Sequence, residues 1–397
     1  MPRIGTVCVQ EGKDHRTTAP HQVPIYATSS FQLESVEEGI EIFKDPSIGH
    51  LYARFSNPTI DTVAEKIAHL EAHNLEIPEV WGILTSSGMS AISTVLLSEL
   101  SQHEKVLTQG NLYGGTTELV RKALPPLAIE PVFVDLTDID AVKHQLEQDD
   151  KIRVIYLETP SNPALDCVDL ESIGRVAKSY DVKVVVDNTF CTPVIQQPLK
   201  YGVDYVIHST TKYINGHGNG ISGVIIGRTR EGRNKVWSKM KLLGTNCNPW
   251  DAWLINNGIK TLALRMKQHS ANAMQLATHL SDHPKVASVN YLGLKNHKFH
   301  KLAQRQMSDY GGMMCFEVEG GIEAGIKIMN ALSIGKLAPT MGDVDTLLMH
   351  PASMSHLNVP KDMRMANGIS DGLIRVSVGI ESIEDLVEDF DRALGSL

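Results

Sequence analysis

Short apolar runs and amphipathic stretches alternate along the chain between residue 61 and about residue 250. The apolar runs predict buried strands at 82–84, 132–134, 152–157, 182–186 and 205–207. Apolar residues that recur at helical spacing between these runs predict helices at 91–100, 139–146 and 170–178. Such alternation is typical of an α/β fold, in which a doubly wound, mostly parallel sheet carries helices on both faces.

The beginning of the chain shows a different pattern. Residues 1–60 have little periodicity and many turn formers, such as Pro20, Pro24 and Asn57-Pro58, which predicts an extended arm. An arm of this length needs a surface on which to lie. We therefore expect it to contact a neighbouring subunit.

A smaller α+β domain is predicted for the last third of the chain. A long helical pattern covers 259–280, strand-like pieces cover 313–318 and 373–378, and a closing helical pattern covers 383–394. A chain of 397 residues exceeds the usual size of a single hydrophobic core, which favours two domains. We expect the arm at 1–60, a large domain at 61–255 and a C-terminal domain at 256–397.

Composition and charge exclude several classes of partner. The formal net charge is −9 and the basic residues are scattered, so neither nucleic acid nor a membrane surface is expected as a partner. Five cysteines without a C-x-x-C pair favour a reducing compartment over disulfides or a zinc site, and no apolar run is long enough to span a membrane. We expect a cytoplasmic protein without a bound metal.

Two strand ends carry the residues best suited to chemistry. Ligands bind beyond the carboxyl ends of parallel strands, where Asp187 follows the run 182–186 and Lys212 follows the run 205–207. A buried carboxylate needs a partner, and the protonated ring nitrogen of pyridoxal phosphate is one candidate, although a strand-end cap is the ordinary alternative. Lys212 could form an imine with that cofactor and move protons, while Ser209 and Thr211 offer hydroxyls to its phosphate.

Two further segments follow predicted strands. Residues 85–90 end one strand and open a helix, so the free backbone amides around Ser87, Gly88 and Met89 predict a phosphate site, with a simple serine N-cap as the alternative. Tyr113 follows the run 106–107, where its ring could stack on the cofactor and exchange a proton with a leaving group.

A glycine-rich segment raises a competing hypothesis. Residues 218–223 match G-x-G-x-x-G, the dinucleotide fingerprint of nicotinamide oxidoreductases. Residues 223–227 read as a strand, however, where that fingerprint requires a helix, so a loop with positive φ angles is favoured. A non-catalytic protein of the same fold is a further alternative, which the presence of Lys212, Asp187, Tyr113 and Arg375 opposes.

From about Thr6 to the C-terminus, the chain resembles the Cys/Met-metabolism family of pyridoxal-phosphate enzymes, the trans-sulfuration enzymes. The resemblance rests on eight motifs in combination. They are YARFSNPT at 52–59, SGM at 87–89, LYGGT at 112–116, ETPSNP at 158–163, DNT at 187–189, STTKY at 209–213, HPASM at 350–354 and RVSVG at 375–379.

The resemblance implies a type I fold, pyridoxal 5'-phosphate as cofactor and a homotetramer that is a dimer of dimers. Tyr52 and Arg54 of one subunit would reach the cofactor phosphate of its neighbour. The other implied roles are Lys212 for the imine, Asp187 for the ring nitrogen, Tyr113 for ring stacking, Gly88, Met89, Ser209 and Thr211 for the phosphate, and Arg375, Asn162 and Thr340 for the substrate, whose carboxylate suits a guanidinium clamp.

The implied activity is γ-elimination on a sulfur amino acid, L-methionine or homocysteine, to 2-oxobutanoate, ammonia and a thiol. Pro339, where cystathionine enzymes commonly carry Glu, favours a methionine γ-lyase within the family. Gly115 and the pair Met240-Lys241 depart from that pattern. The alternatives are therefore γ-replacement on O-acetyl- or O-succinyl-L-homoserine, by a sulfhydrylase or cystathionine γ-synthase, and a cystathionine lyase.

Overall fold

The computed structural model describes residues 2–12, 20–46, 48–355, 357, 361–366 and 368–397. Residues 13–19, which fall in the predicted arm, lie outside these ranges. Within them the chain forms two β-sheets, of seven and five strands, with helices packed against both. No helix among these residues is long and apolar enough to cross a membrane.

The larger sheet contains seven strands in the order β1-β7-β6-β5-β4-β2-β3. β7 is antiparallel to both of its neighbours, and every other adjacent pair is parallel. The strands are β1 (Trp81–Thr85), β2 (Lys105–Thr108), β3 (Glu130–Phe133), β4 (Ile152–Glu158), β5 (Lys183–Asp187), β6 (Tyr205–His208) and β7 (Gly223–Gly227). The mostly parallel sheet predicted from the apolar runs is confirmed.

Helices cover both faces of this sheet. In β5, Val184 and Val186 belong to one buried cluster and Val185 belongs to a second cluster. Successive side chains of a strand point to opposite faces of the sheet, so both faces of β5 are covered. In chain order the helices are α1 (Ile4–Gln10), α2 (Val36–Lys44), α3 (Pro58–Glu71), α4 (Gly88–Glu99), α5 (Gly114–Glu118), α6 (Ile139–Gln148), α7 (Leu170–Ser179), α8 (Thr192–Ile195), α9 (Arg230–Leu243), α10 (Pro249–Ile259), α11 (Leu262–Ser281), α12 (His300–Gln306), α13 (Gly321–Ala331), α14 (Lys361–Ala366) and α15 (Ile383–Gly395).

The smaller sheet has the strand order β10-β11-β12-β9-β8. β10 is parallel to β11, and the other adjacent pairs are antiparallel. A third buried cluster joins this sheet to α11, α13 and α15. Its strands are β8 (Val286–Asn290), β9 (Met313–Val318), β10 (Lys336–Leu337), β11 (Leu347–Met349) and β12 (Leu373–Ser377). The strands predicted at 313–318 and 373–378 and the closing helix are confirmed.

The structure differs from the sequence prediction at the long helical pattern 259–280. That pattern is divided, because α10 ends at Ile259 and α11 begins at Leu262. The buried guanidinium of Arg265 donates to the carbonyl oxygens of Gly258 and Tyr213, at 2.8 and 2.6 Å. These bonds satisfy the Gly258 carbonyl at the end of α10 without a continuous helix.

The predicted arm contains two short helices that were not predicted. α2 begins at a serine whose hydroxyl accepts the N–H of Glu38, and Ser35-x-x-Glu38 is a helix-start pattern that the sequence contained. The outer face of α2 is apolar but exposed, with Val36 75% and Phe43 69% accessible. A stripe of this kind on a helix is typical of a surface that another element covers.

The last helix is tied to the smaller sheet by a buried carboxylate. Asp389 in α15 accepts the backbone N–H groups of Ser333, Ile334 and Gly335 at 2.8 to 3.2 Å. Burial by itself raises the pKa of Asp389, but these bonds and the Arg392 guanidinium outweigh burial and bring the pKa below its ordinary value. The carboxylate therefore stabilises the fold in its ionised form.

We expect Asp389→Asn to lower the free energy of unfolding by about 1–3 kcal/mol at neutral pH, because a charged acceptor of several N–H groups is lost. A group whose pKa is depressed by folding stabilises above its unfolded pKa and ceases to do so as the pH falls through its folded value. The difference in thermal midpoint between wild type and variant should thus shrink below about pH 4. Glu388→Gln, an exposed neighbour, is the control. A difference that did not change with pH would contradict this role of the charge.

Candidate active site

A cavity of about 310 Å³ lies at the carboxyl ends of β4, β5 and β6, against the loop between β10 and β11 and against β12. It collects most of the residues that the sequence singled out, from positions as far apart as 87 and 375. The predicted residues that line it are Ser87, Gly88, Met89, Tyr113, Asn162, Asp187, Ser209, Thr211, Lys212, Thr340 and Arg375. Their predicted roles are proposals that this geometry supports.

One end of the cavity is suited to an anion. Ser87 caps α4 and its hydroxyl accepts the N–H of Ser90 at 3.0 Å, so the first amides of a 12-residue helix face this end. Gly88 lies against Ser209, where a Cβ atom on Gly88 would come within 2.8 Å of the Ser209 Cβ. Only glycine permits this approach. The Thr211 hydroxyl exchanges hydrogen bonds with the backbone of Ser222, at 3.0 and 3.1 Å.

The amine of Lys212 is held inside the cavity. Its Nζ donates to the hydroxyl oxygen of Thr340 at 2.7 Å. Burial lowers the pKa of Lys212, and the positive charge of Arg375 lowers it further. A larger fraction of the amine is therefore neutral than in an exposed lysine, as a nucleophile or general base requires.

Two carboxylates lie side by side at the floor of the cavity. Glu158 ends β4 and Asp187 ends β5, and the two residues are partners in the parallel register. Asp187 accepts the N–H and the hydroxyl of Thr189, at 3.0 and 2.5 Å, which opposes the rise in its pKa that burial causes. Burial, followed by the charge of Asp187, raises the pKa of Glu158. A cation bound in the cavity next to Glu158 and Asp187 would be stabilised by the negative charge of this pair.

Glu158 was not assigned a role from the sequence, although a signal was present. It follows the apolar run 152–157 just as Asp187 follows its own run. Thr189, the partner of Asp187, and Phe190 also line the cavity and were not identified. Both stand in the turn after β5, where no local pattern distinguishes them.

Arg375 occupies the side of the cavity formed by β12. Its side chain is buried, Nη1 donates to the Asn162 amide oxygen at 3.2 Å, and Nη2 donates to the Thr340 carbonyl at 2.9 Å. Its Nε has no hydrogen-bond partner among the described residues. Burial lowers the pKa of this guanidinium. A buried donor without a partner is costly, and a substrate carboxylate would satisfy it.

The ring of Tyr113 stands at the mouth of the cavity and is 51% exposed. Its backbone N–H donates to the carboxylate of Glu158. Gly115 lies directly beside the ring, because a Cβ atom there would come within 2.7 Å of Tyr113 Cε1. The Tyr113 ring thus occupies the space that a side chain at position 115 would need.

Tyr52 and Arg54 do not reach the cavity of their own chain. The guanidinium of Arg54 donates to the carbonyl of Lys241 and lies 4.9 Å from the centre of the Phe55 ring. The Tyr52 ring packs on the same phenylalanine, with centroids 5.7 Å apart. Lys241 is also outside the cavity, with its Nζ 4.5 Å from the Trp237 ring centre. Delivery of Tyr52 and Arg54 to a neighbouring subunit remains a prediction.

The glycine-rich segment 218–223 does not have the structure of a dinucleotide-binding turn. It leads into β7, which is a strand, so the sequence expectation is confirmed. Gly216 and Gly218, beside the Lys212 turn, have φ angles of +72° and +61°, which other residues rarely adopt. No group of three or more His, Cys, Asp or Glu side chains in the described ranges is placed to hold a metal ion.

These residues fit pyridoxal phosphate. The close approach at Gly88 and the first turn of α4 suit its phosphate, the Asp187 carboxylate suits a protonated ring nitrogen, and the Lys212 amine, whose pKa is lowered, suits its aldehyde. The unpartnered Nε of Arg375 leaves a place for an amino-acid carboxylate beside it.

Comparison with known proteins agrees with this geometry. Residues 5–395 match the family model described as Cys/Met metabolism PLP-dependent enzyme. The chain is 41% identical over 393 residues to an L-methionine γ-lyase of Fusobacterium nucleatum subsp. polymorphum, covering 98% of each chain, and 40% identical over 396 residues to a cystathionine β-lyase of Lactococcus lactis subsp. cremoris, covering 99% of each. A crystal structure of cystathionine γ-lyase from Lactobacillus plantarum complexed with L-serine matches with a TM-score of 0.92 and 33% identity, covering 100% of this chain and 99% of that one.

Proposed function

This chain belongs to the Cys/Met metabolism family of PLP-dependent enzymes, and we propose that it catalyses γ-elimination on L-methionine or homocysteine, with 2-oxobutanoate, ammonia and a thiol as products. One observation carries the proposal: the Lys212 amine and the Arg375 guanidinium, whose Nε has no partner among the described residues, stand in the same cavity. A carboxylate held at Arg375 would present the amino group and Cα of an amino acid to Lys212. Relatives named L-methionine γ-lyase, at about 40% identity over nearly the whole chain, favour the substrate.

Residues at both ends of the cavity would hold the cofactor. Asp187 would pair with the ring nitrogen, Tyr113 would stack on the ring, and Lys212 would bind the aldehyde carbon. The phosphate would lie against Ser87, Gly88, Met89, Ser209 and Thr211. Bound in this way, pyridoxal phosphate supplies an electron sink for the negative charge that develops at the substrate Cα.

The reaction then depends on positioned proton transfers. Arg375 and Asn162 hold the substrate carboxylate, and the Thr340 hydroxyl orients the Lys212 amine once the substrate has displaced it from the cofactor. Lys212 Nζ would remove the proton from Cα, pass it to the bound cofactor so that the amine is neutral again, and then remove one from Cβ, which allows the γ substituent to leave. The Tyr113 phenol protonates the departing sulfur. Pro339 lines the cavity without a charge, which suits an uncharged γ substituent such as methylthio.

A second candidate is γ-replacement on O-acetyl- or O-succinyl-L-homoserine. Gly115 favours it. Because position 115 has no side chain, the Tyr113 ring occupies that space at the mouth of the cavity. A second substrate would enter through this mouth. Both reactions share the same first half, up to loss of the γ substituent. The relative named cystathionine β-lyase keeps cystathionine cleavage as a third candidate.

We also propose that the chain assembles as a homotetramer, a dimer of dimers, in the cytoplasm. The exposed apolar face of α2 and the position of Tyr52 and Arg54 outside their own cavity support shared active sites. The arm at 1–60, the large domain at 61–255 and the C-terminal domain at 256–397 are the division that we propose for each subunit.

The test is product analysis of the enzyme loaded with pyridoxal phosphate. With L-methionine alone we expect methanethiol and 2-oxobutanoate in equal amounts. O-Acetyl-L-homoserine with sulfide is the parallel assay. Homocysteine from that mixture, with methionine left unconverted, would instead establish γ-replacement.

A further inference from the structure

Glu158 was not among the site residues predicted from the sequence, but its carboxylate makes an unusual contact. Its Oε1 and Oε2 atoms lie 3.0 and 2.9 Å from the backbone nitrogen of Tyr113, so that one N–H group is shared between both oxygens. The side chain is 6% exposed and lines the cavity. The hydroxyl of Tyr156, itself fully buried, donates to Oε1 at 3.5 Å.

The segment that carries Tyr113 has a second anchor two residues earlier. The Asn111 side chain donates to the Ser161 hydroxyl at 2.8 Å and to the Asp166 carboxylate at 2.9 Å. Those bonds hold the loop where it leaves β2, and the Tyr113 carbonyl accepts the N–H of Thr117 at 2.9 Å, but neither contact acts on the peptide between Leu112 and Tyr113. The bond to Glu158 acts at that peptide, next to the Cα atom from which the ring projects.

The Tyr113 ring has little other support. The ring is half-exposed, and its phenol oxygen makes no hydrogen bond to the described residues. The direction of the ring is therefore determined mainly by the backbone beneath it and by its position beside Gly115. A small rotation of the peptide would move the phenol oxygen by more than a hydrogen-bond tolerance.

We propose that Glu158 is the positioning residue of Tyr113: it fixes the peptide that directs the phenol over the cavity. The inference rests on the proposed function, in which that phenol protonates the leaving group. A purely electrostatic role is the competing interpretation, since Glu158 is also the register partner of Asp187. In the first role Glu158 acts through Tyr113, and in the second it acts through Asp187.

Hydrogen exchange tests the contact independently of catalysis. In Glu158→Gln, we expect amides of the segment 110–118 to exchange about tenfold faster than in wild type, both without cofactor and with pyridoxal phosphate bound, because one of the two acceptor oxygens is lost. Glu99→Gln is the matched control, since Glu99 is a buried glutamate that accepts the Tyr205 hydroxyl at the opposite end of β6. Equal exchange in wild type and Glu158→Gln would overturn the proposal.

A double-mutant cycle tests the functional consequence. We expect Glu158→Gln to lower kcat about ten- to hundredfold and to change KM less than about threefold, as misplacement of a general acid does. In a Tyr113→Phe background the same change should cost less than about twofold, because the group that Glu158 positions is already absent. Losses that multiply would show that Glu158 acts through Asp187 instead. If the enzyme proves to be a γ-replacement enzyme, the cycle is run on that reaction, and the exchange result is unaffected.

Discussion

Replacement of Lys212 by alanine is expected to lower kcat by at least about 10⁴-fold and to abolish the yellow colour of the enzyme loaded with pyridoxal phosphate. The amine at this position would bind the cofactor covalently and carry the Cα and Cβ protons, and among the described residues no other lysine lines the cavity. Its one hydrogen bond, to Thr340, is a small part of the packing around it. The fold should therefore survive the substitution.

Visible absorption, turnover and far-ultraviolet circular dichroism check this expectation together. Lys178→Ala, which changes an exposed lysine on α7, should keep both colour and turnover. A Lys212→Ala protein that stayed yellow after dialysis and still turned over its substrate would end the assignment of Lys212 as the cofactor lysine.

Replacement of Arg375 by lysine should lower kcat/KM by about 10²- to 10³-fold, with most of the loss in KM. A guanidinium offers parallel N–H groups that match a carboxylate, and an ammonium does not reproduce them. Loss of a buried, charge-assisted pair costs about 2–5 kcal/mol, and the expected loss lies within these limits, at about 2.7–4.1 kcal/mol. Nη1 and Nη2 are already engaged by Asn162 and Thr340, so lysine would also leave those oxygens without a donor.

Steady-state kinetics with a series of substrates checks the Arg375 prediction. The loss should disappear for an amine that lacks the α-carboxylate, because wild type gains nothing from Arg375 with such a compound. Arg364→Lys is the control, since Arg364 is also buried but pairs with Asp371 at 2.9 Å, outside the cavity. An Arg375→Lys enzyme with unchanged KM would place the substrate carboxylate elsewhere.

Local patterns predicted most of the fold and much of the cavity. The strands of the larger sheet and the helices α4, α6 and α7 followed from apolar runs and helical spacing, whereas α3 and α9 were not predicted. Asp187, Lys212 and Ser87 were recognised because each stands at the end of a strand or just after it. The break between α10 and α11 was not predicted, because Arg265 satisfies the Gly258 carbonyl through a contact that helical periodicity does not report. α2 was missed although its Ser35-x-x-Glu38 start was present.

The amino-acid sequence by itself determined the alternation of strands and helices, the strand-end position of the polar residues and the resemblance that implied the cofactor, since all of these depend on neighbours along the chain. Only the tertiary structure decided which of those residues meet. Lys212 donates to a hydroxyl 128 positions away, and Glu158 lies beside Asp187 because β4 and β5 pair in register. Distances across a cavity arise from the packing of whole elements, which no short stretch of sequence encodes.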